Sequence, residues 1–253
     1  MKNLHTETEL YEPIKQLLEA QGFTVKGEVK GCDVAAVKDG ALWVVEMKLH
    51  FNITVLYQAM ERQKITESVF IATPRPRRAN EKNHRLMMKL LKKMELGLIT
   101  VALDSPIRFA EIILFPGGAA AANGATASSG AAVSRKKPAQ NKKASALIRT
   151  EIEGRIGDTA GGTNAAVNTA YRERCIRVAC LLSVHGPLTA KLLVNKFGCE
   201  KDAGGILRGN FYGWFEKRGP GLYALTPVGA EYLNANKNAV TVAYYRIKAE
   251  DTR

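Results

Sequence analysis

The stretch "GCDVAAVKDGALWVVEMKLH", residues 31–50, consists of two short apolar runs that meet at Asp39-Gly40. An Asp-Gly pair between two strand-like runs predicts a β-hairpin with a two-residue turn, because both positions tolerate a positive φ. Three charged residues interrupt the apolar runs: Asp33, Glu46 and Lys48. The hairpin therefore carries charged side chains on strands that are otherwise hydrophobic.

The turn determines which residues face each other across the hairpin. If Asp39 and Gly40 form the loop, pairing continues outward from them and places Asp33 directly opposite Glu46. The Cβ atoms of such a pair are roughly 4.5–5.5 Å apart. A three-residue loop that began at Lys38 would shift the register by one and separate the two carboxylates onto different faces.

Two facing carboxylates on a covered strand need a positive charge between them. The second strand is otherwise apolar on both faces, a pattern typical of a central strand, and facing like charges there are unfavourable. Mg²⁺ prefers one or two carboxylates together with water and phosphate oxygens, so Asp33 and Glu46 are candidate ligands for Mg²⁺ or Mn²⁺. Lys48 shares the face of Glu46 by alternation and could hold a phosphate or stabilise an attacking hydroxide. The alternative is a surface ion pair at the end of a strand.

The overall charge favours a polyanionic partner. The chain has 37 Lys and Arg against 24 Asp and Glu, a net charge of +13, which favours nucleic acid first and an anionic membrane surface second. No apolar run approaches the roughly 18 residues of a membrane span. The polar, acidic N-terminus is not a signal peptide, and the four cysteines lack zinc-site spacing. We expect a cytoplasmic protein with reduced thiols, no membrane contact and no zinc.

Composition and periodicity divide the chain into segments. Gly, Ala and Ser dominate residues 117–146, which contain five basic residues and no acid, so this stretch is typical of a flexible basic linker. Before it, the pattern predicts the order αβββαβαββ; after it, three helices and a glycine-tipped hairpin predict a winged helix. The predicted segments are an α/β domain (1–116), a linker (117–164), a smaller winged-helix domain (165–236) and a C-terminal tail (237–253).

These features together resemble a known superfamily. Gly31-Cys32-Asp33, a hairpin and then Glu46-Met47-Lys48 resemble the PD-(D/E)XK nucleases, although Cys32 stands where the superfamily has proline. The stretches "TETELYEPIKQLLEAQGFTVKGEVKGCDVAAV", "TPRPRR" and "YGWFEKRGPGLYALTP" look like a bacterial family of PD-(D/E)XK phosphodiesterases with a C-terminal winged-helix-like region. The resemblance implies a restriction-endonuclease-like core (αβββαβ), metal binding by Asp33 and Glu46, and catalysis assisted by Lys48.

The superfamily often adds further residues to this site. A Glu from the first helix is one of them, and Glu7 continues the apolar stripe of Tyr11, Ile14 and Leu18, although a Glu that merely suits the helix dipole would look the same. Glu28 is the reserve candidate. A second addition is a Gln on the helix after the catalytic strand. Gln58 fits that position as a catalytic residue, or is an exposed polar residue.

Basic side chains supply candidate contacts to nucleic acid. One group lies on or near the core domain, where residues 74–93 carry eight Lys and Arg, and the other lies on the third helix and wing of the second domain. The candidates are Arg62, Arg75, Arg77, Arg78, Lys201, Arg208, Lys217 and Arg218. We expect a metal-dependent phosphodiesterase that acts on DNA, in a superfamily where many members cut as homodimers. The alternative is a DNA-binding winged-helix module with an inactive nuclease-like core.

Overall fold

The computed structural model describes residues 5–76, 82–117, 140–162 and 168–252. The chain divides into two compact units: Met1–Gly154 with Asp158–Val167, and Arg155–Gly157 with Asn168–Arg253. Each unit has a hydrophobic core of its own. In the described ranges, no helix combines the length and the apolar character that crossing a membrane requires.

The described residues of the first unit form a mixed α/β layer. Its strands are β1 (Thr24–Val29), β2 (Cys32–Lys38), β3 (Ala41–Met47), β4 (Ser68–Pro74), β5 (Gly97–Val101) and β6 (Ala110–Leu114). Its helices are a 3₁₀ turn (Glu7–Leu10), α1 (Tyr11–Glu19), α2 (Ile53–Arg62), α3 (Lys82–Lys93) and α4 (Lys142–Glu153). The predicted order αβββαβαββ is confirmed up to β6.

The six strands form one sheet in sequence order, from β1 at one edge to β6 at the other. The pairs β1–β2, β2–β3 and β5–β6 are antiparallel, whereas β3–β4 and β4–β5 are parallel. The parallel pairs require crossovers, which α2 and α3 provide. This mixed sheet is compatible with the restriction-endonuclease-like core that the sequence predicts.

Side chains of β3 alternate between the two faces of the sheet. Val45 and Met47 belong to the core that α1 covers, whereas Leu42 and Val44 belong to the core on the opposite face. Period-two alternation places Glu46 with the second group. Because the strand is buried on both faces, Glu46 lies in the interior and is 0% exposed.

Helix α4 corrects the predicted linker. Ile148 and Ile152 of α4 are buried against Cys32, Ala35 and Val44 of the sheet, so residues of this helix belong to the core of the first unit. The four-residue spacing of the two isoleucines makes one apolar stripe. The predicted linker segment was 117–164, and the composition that indicates a linker covers residues 117–146. The predicted linker residues 118–139 and 163–164 lie outside the described residues.

The described residues of the second unit are helical with a small antiparallel sheet. The elements are α5 (Ala170–His185), β7 (Leu188–Thr189), α6 (Ala190–Asn195), α7 (Ala203–Gly209), β8 (Phe215–Gly219), β9 (Leu222–Leu225), α8 (Pro227–Ala235) and α9 (Val240–Glu250). The strands lie in the order β7-β9-β8. The predicted hairpin tipped by Gly219-Pro220-Gly221 is confirmed as β8 and β9, while the winged-helix assignment itself stays a prediction.

Helix α9 corrects the predicted C-terminal tail. The predicted second domain ends at residue 236, but α9 packs against α5. Val242 and Ala249 are each 1% exposed in the same core as Cys180 of α5. The residues at 240–250 are therefore part of the second unit, because their apolar side face is needed to cover α5.

Candidate active site

The register of the hairpin is the one that the sequence predicts. The two-residue turn at Asp39-Gly40 has positive φ angles of 48° and 76°, as a type I′ turn requires. The β2–β3 ladder continues from the turn to the pair of Val34 and Val45. Asp33 and Glu46 each lie one residue beyond this pair, and the charge of Asp33 acts on Glu46. In addition, Asp33 Oδ2 accepts a hydrogen bond of 2.8 Å from the Met47 N–H, which ties Asp33 to the end of β3.

Glu46 is the most deeply buried acid of the site. Its Oε1 accepts a 2.6 Å hydrogen bond from Arg62 Nε, whereas its Oε2 is buried and has no hydrogen-bond partner among the described residues. Burial, and then the charge of Asp33, raise the pKa of Glu46 to about 7, against the opposing effect of Arg62. Near neutral pH this carboxyl group is therefore poised between its two protonation states.

Asp33 lies in the same electrostatic environment. Burial raises the pKa of Asp33 above its usual range, and the charges of Glu28 and Glu7 add to this effect, while the Met47 N–H and Lys48 oppose it. The site thus gathers carboxylates whose mutual repulsion is only partly balanced by protein cations. Such an arrangement favours an added cation.

Lys48 lies just beyond the end of β3 and pairs with Glu7. Its Nζ is 2.9 Å from Glu7 Oε1 and 3.0 Å from Glu7 Oε2. The structure therefore brings both residues to the neighbourhood of Asp33, since both of their charges act on the pKa of Asp33. No group of three or more His, Cys, Asp or Glu residues in the described part of the chain has the arrangement of a metal cage. A metal-binding role for Glu7 stays a prediction.

Arg62 and Gln58 lie one turn apart on α2. Arg62 contacts the site from within the protein, because its guanidinium donates both to Glu46 and to the carbonyl oxygen of Gly31. The sequence predicts Arg62 as a contact to nucleic acid, and its contact with Glu46 is an additional finding. Gln58 is half-buried, and its side chain makes no hydrogen bond with a described residue. Its catalytic role stays a prediction.

Residues 158–162, which we name the strap, pass close to the site and were missed by the sequence analysis. Asp158 accepts 2.6 Å hydrogen bonds from Tyr11 Oη and Lys15 Nζ and one of 3.0 Å from the Gly27 N–H. Burial alone would raise the pKa of Asp158, yet these donors hold it below its usual range. The signal that could have indicated a close approach was the Gly161-Gly162 pair.

Steric contacts explain why a glycine occupies the position of the strap next to Asp33. A Cβ added to Gly161 would lie 2.3 Å from the Asp33 carbonyl oxygen and 2.8 Å from Met47 Cε. Gly162 has a φ of +73°, and an added Cβ would lie 3.1 Å from Glu7 Cβ. Only a backbone without side chains fits against the strand end that carries Asp33.

The predicted nucleic-acid contacts are distributed over both units. In the first unit, Arg75 pairs with Glu111 and its guanidinium lies 4.8 Å from the centre of the Phe109 ring. Arg77 and Arg78 lie outside the described residues. In the second unit, exposed basic side chains lie on or just before α7 and on β8: Lys201, Arg208, Lys217 and Arg218. Of these, Arg218 pairs with Glu216.

Comparison with known proteins bears on the second half of the chain. No curated protein and no solved structure gives a significant match. A family model matches residues 120–232, a segment that includes the strap and much of the second unit but not Asp33, Glu46 or Lys48. The resemblance seen in the sequence is therefore confirmed over this segment: residues 120–232 match the family described as "Putative PD-(D/E)XK phosphodiesterase (DUF2161)".

Proposed function

We propose that the protein is a metal-dependent phosphodiesterase that hydrolyses nucleic acid, DNA in the first instance. The observation that carries the proposal is Glu46, a fully buried carboxylate whose Oε2 has no hydrogen-bond partner among the described residues and on which the charge of Asp33 acts. A buried acceptor without a donor is costly and is rare in folded proteins. The family match supports nuclease-like phosphodiester chemistry.

The residues present fit a divalent cation. Asp33 and Glu46 offer hard oxygen ligands, and two carboxylates are the number that Mg²⁺ commonly takes from a protein, with water and phosphate oxygens completing the shell. Burial raises the pKa of Glu46 to about 7, so a cation would also relieve the cost of ionising this buried acid. When bound, Mg²⁺ or Mn²⁺ would supply Lewis-acid stabilisation of phosphate charge and a more acidic water.

Lys48 and Glu7 have complementary roles in this proposal. The ion pair with Glu7, at 2.9 Å, keeps the Lys48 ammonium close to Asp33 instead of free in solvent. From there Lys48 Nζ can donate a hydrogen bond to the attacking water or to a phosphate oxygen. Glu7 in turn orients Lys48, whether or not it also binds the cation.

The second unit supplies the second part of the proposal, which is a winged helix that binds the nucleic-acid backbone. Support comes from the helices α5 to α7 followed by the hairpin β8–β9, and from the exposed Lys201, Arg208 and Lys217 on or near α7 and β8. Backbone contacts of this kind give affinity without reading sequence.

A DNA-binding module with an inactive core is the alternative function. The observation that favours it is the position of the family match, which covers much of the second unit and excludes Asp33, Glu46 and Lys48. The two functions differ in whether cleavage accompanies binding.

The experiment that separates them is the variant Lys48→Ala. It removes the ammonium next to Asp33 but leaves the carboxylates and nearly all of the positive charge. We expect cleavage of labelled DNA in Mg²⁺ or Mn²⁺ to fall by at least roughly 100-fold, since an acid–base or electrostatic group is lost. DNA affinity and its fall with salt concentration should stay unchanged.

Lys38→Ala is the matched control, because Lys38 lies on the same hairpin at its far end and donates to the Gln21 carbonyl oxygen. This control should cleave as the wild type does. If the wild type binds DNA but cuts neither DNA nor RNA with either cation, and Lys48→Ala behaves in the same way, the enzymatic proposal is wrong and the binding module is preferred.

A further inference from the structure

We propose that Arg62 is a positioning residue for Glu46: it holds one carboxylate oxygen so that the other is available to a divalent cation. This inference rests on the proposed function, because it concerns the same site. It differs from the expectation that Arg62 contacts phosphate, and it gives this arginine a part in metal affinity.

The position of Arg62 is fixed at both ends of its side chain. Arg62 is the last residue of α2, so its backbone is part of the helix. This helix is capped by Asn52 and is held to the sheet by the buried Val55 and Ala59. At the other end, Nε donates to Glu46 Oε1 at 2.6 Å, and a terminal nitrogen donates to the Gly31 carbonyl oxygen. The guanidinium thus connects β3 to the turn between β1 and β2, and its planar fork leaves little rotational freedom.

The consequence of this contact lies in the two oxygens of Glu46. Oε1 is satisfied by Arg62, whereas Oε2 is buried without a hydrogen-bond partner among the described residues. A carboxylate held by one oxygen has a fixed plane, so the direction of Oε2 is set by Arg62. Oε2 is therefore the oxygen at which a bound cation would be stabilised most, because this acceptor has no competing donor. Asp33 is the neighbouring acid on the adjacent strand.

Arg62 could instead be a simple counterion that a metal displaces. In that case, loss of the arginine would strengthen metal binding, because one competing positive charge disappears. The contact with Gly31 favours positioning, since it gives the guanidinium a second partner that stays in place when a cation binds. Hydrogen-bond partners of metal ligands typically contribute 10- to 100-fold to metal affinity. The two interpretations therefore predict opposite changes.

The experiment is titration of the full chain with Mn²⁺ or Mg²⁺ alone, followed by calorimetry and by the shift in melting temperature. We expect Glu46→Gln to abolish binding and Arg62→Gln to weaken it by roughly 10-fold or more. Arg62→Lys keeps the charge but lacks the fork, so it should also bind more weakly than the wild type. Lys64→Gln is the matched control, since the exposed Lys64 follows the same helix and pairs with Glu61. It should bind as the wild type does.

A second measurement separates positioning from phosphate contact. In EDTA, the DNA affinity of Arg62→Gln should equal that of the wild type. In Mn²⁺, the kcat of this variant should fall, while its KM for DNA should stay at the wild-type value. Equal or tighter Mn²⁺ binding by Arg62→Gln would overturn the inference, as would a loss of DNA affinity in EDTA with Mn²⁺ binding unchanged. If Arg62→Gln does not fold, Arg62→Lys decides by the same criterion. A wild type that binds neither cation would instead refute the metal site itself, and the inference with it.

Discussion

At the scale of single residues, the charged side chains of the hairpin form one electrostatic group. Asp33 and Glu46 are adjacent across β2 and β3, and burial raises the pKa of both. Lys48 and Arg62 each satisfy an acid, Glu7 in the first case and Glu46 in the second. Glu46 Oε2 is buried and has no hydrogen-bond partner within the described ranges. This atom thus connects the protonation state of the site to metal binding.

The pKa of Glu46 predicts how metal affinity depends on pH. Below its pKa of about 7 the folded protein holds a proton that a cation must displace. We expect Mn²⁺ affinity to rise roughly tenfold per pH unit below neutral pH and to level off above it. Calorimetry from acidic to mildly alkaline pH measures this profile, with the same titration of Lys64→Gln as the control. A flat profile in the wild type would contradict the assignment of Glu46 as a ligand.

The metal-free protein should show the opposite trend. The folded pKa of Glu46 lies above its ordinary value of 4.5, so the folded state holds the extra proton between these two values. The contribution of Glu46 to stability is therefore present at low pH and is lost as pH rises through about 7. Glu46→Gln, which mimics the protonated group, should lack this loss when unfolding is followed in EDTA.

At the scale of elements, the strap is the feature that joins distant parts of the chain at the site. Asp158 attaches it to Tyr11 and Lys15 of α1 and to the β1 backbone at Gly27. Gly161 then lies against the backbone of Asp33. The strap belongs to the segment matched by the family model, although the acids that it covers do not.

Gly161→Ala tests the packing of the strap. The added Cβ would lie 2.3 Å from the Asp33 carbonyl oxygen, so either the strap or the strand end must move. We expect a loss of about 1–3 kcal/mol in the free energy of unfolding, the usual cost of overpacking, together with weaker Mn²⁺ binding. Gly205→Ala is the control, because an added Cβ there meets no atom within 4 Å. Chemical denaturation measures both variants, and equal stability of Gly161→Ala and the wild type would contradict this packing.

At the scale of the whole molecule, the first unit is completed from a distant part of the sequence. Helix α4 covers the face of β2 and β3 opposite to α1, with Ile148 and Ile152 in its core. The predicted domain of residues 1–116 lacks this helix. The second unit is likewise completed by α9, which lies beyond the predicted domain end.

Fragments of the chain test this completion. Residues 1–162 should unfold cooperatively, whereas residues 1–117 should be less stable by at least roughly 3 kcal/mol, because two buried isoleucines that each contribute about 1.5–3 kcal/mol are absent. Residues 1–139 are the matched control, since they add the Gly- and Ala-rich stretch without α4 and should resemble 1–117. Thermal unfolding and binding of a hydrophobic dye measure the difference. If the fragments 1–117 and 1–162 have the same melting temperature, α4 is not needed to complete the core.

Local chemistry was sufficient for much of the fold and for the centre of the site. The Asp39-Gly40 turn requires positive φ at both positions, and the alternation of β3 has a period of two, so both could be read from neighbouring residues. The start of α2 is set locally as well, because the Asn52 side chain accepts a hydrogen bond from the Val55 N–H. The register of Asp33 and Glu46 follows from these local rules alone.

Tertiary structure alone decided the contacts between residues that are far apart in sequence. Three contacts illustrate this: Arg62 with Glu46, Asp158 with Tyr11, and α4 with the sheet. Each joins segments that are distant in sequence, so neither segment's local pattern predicts the other as its partner. The composition of residues 117–146 indicates a linker. A short amphipathic helix is not stable in water by itself, so its formation depends on packing against another surface and cannot be recognised from local composition. The sequence by itself thus determined which acids face each other. Only the tertiary structure decided which arginine holds Glu46 and which glycines lie against the site, because both depend on the positions of the helices and the strap in the folded protein.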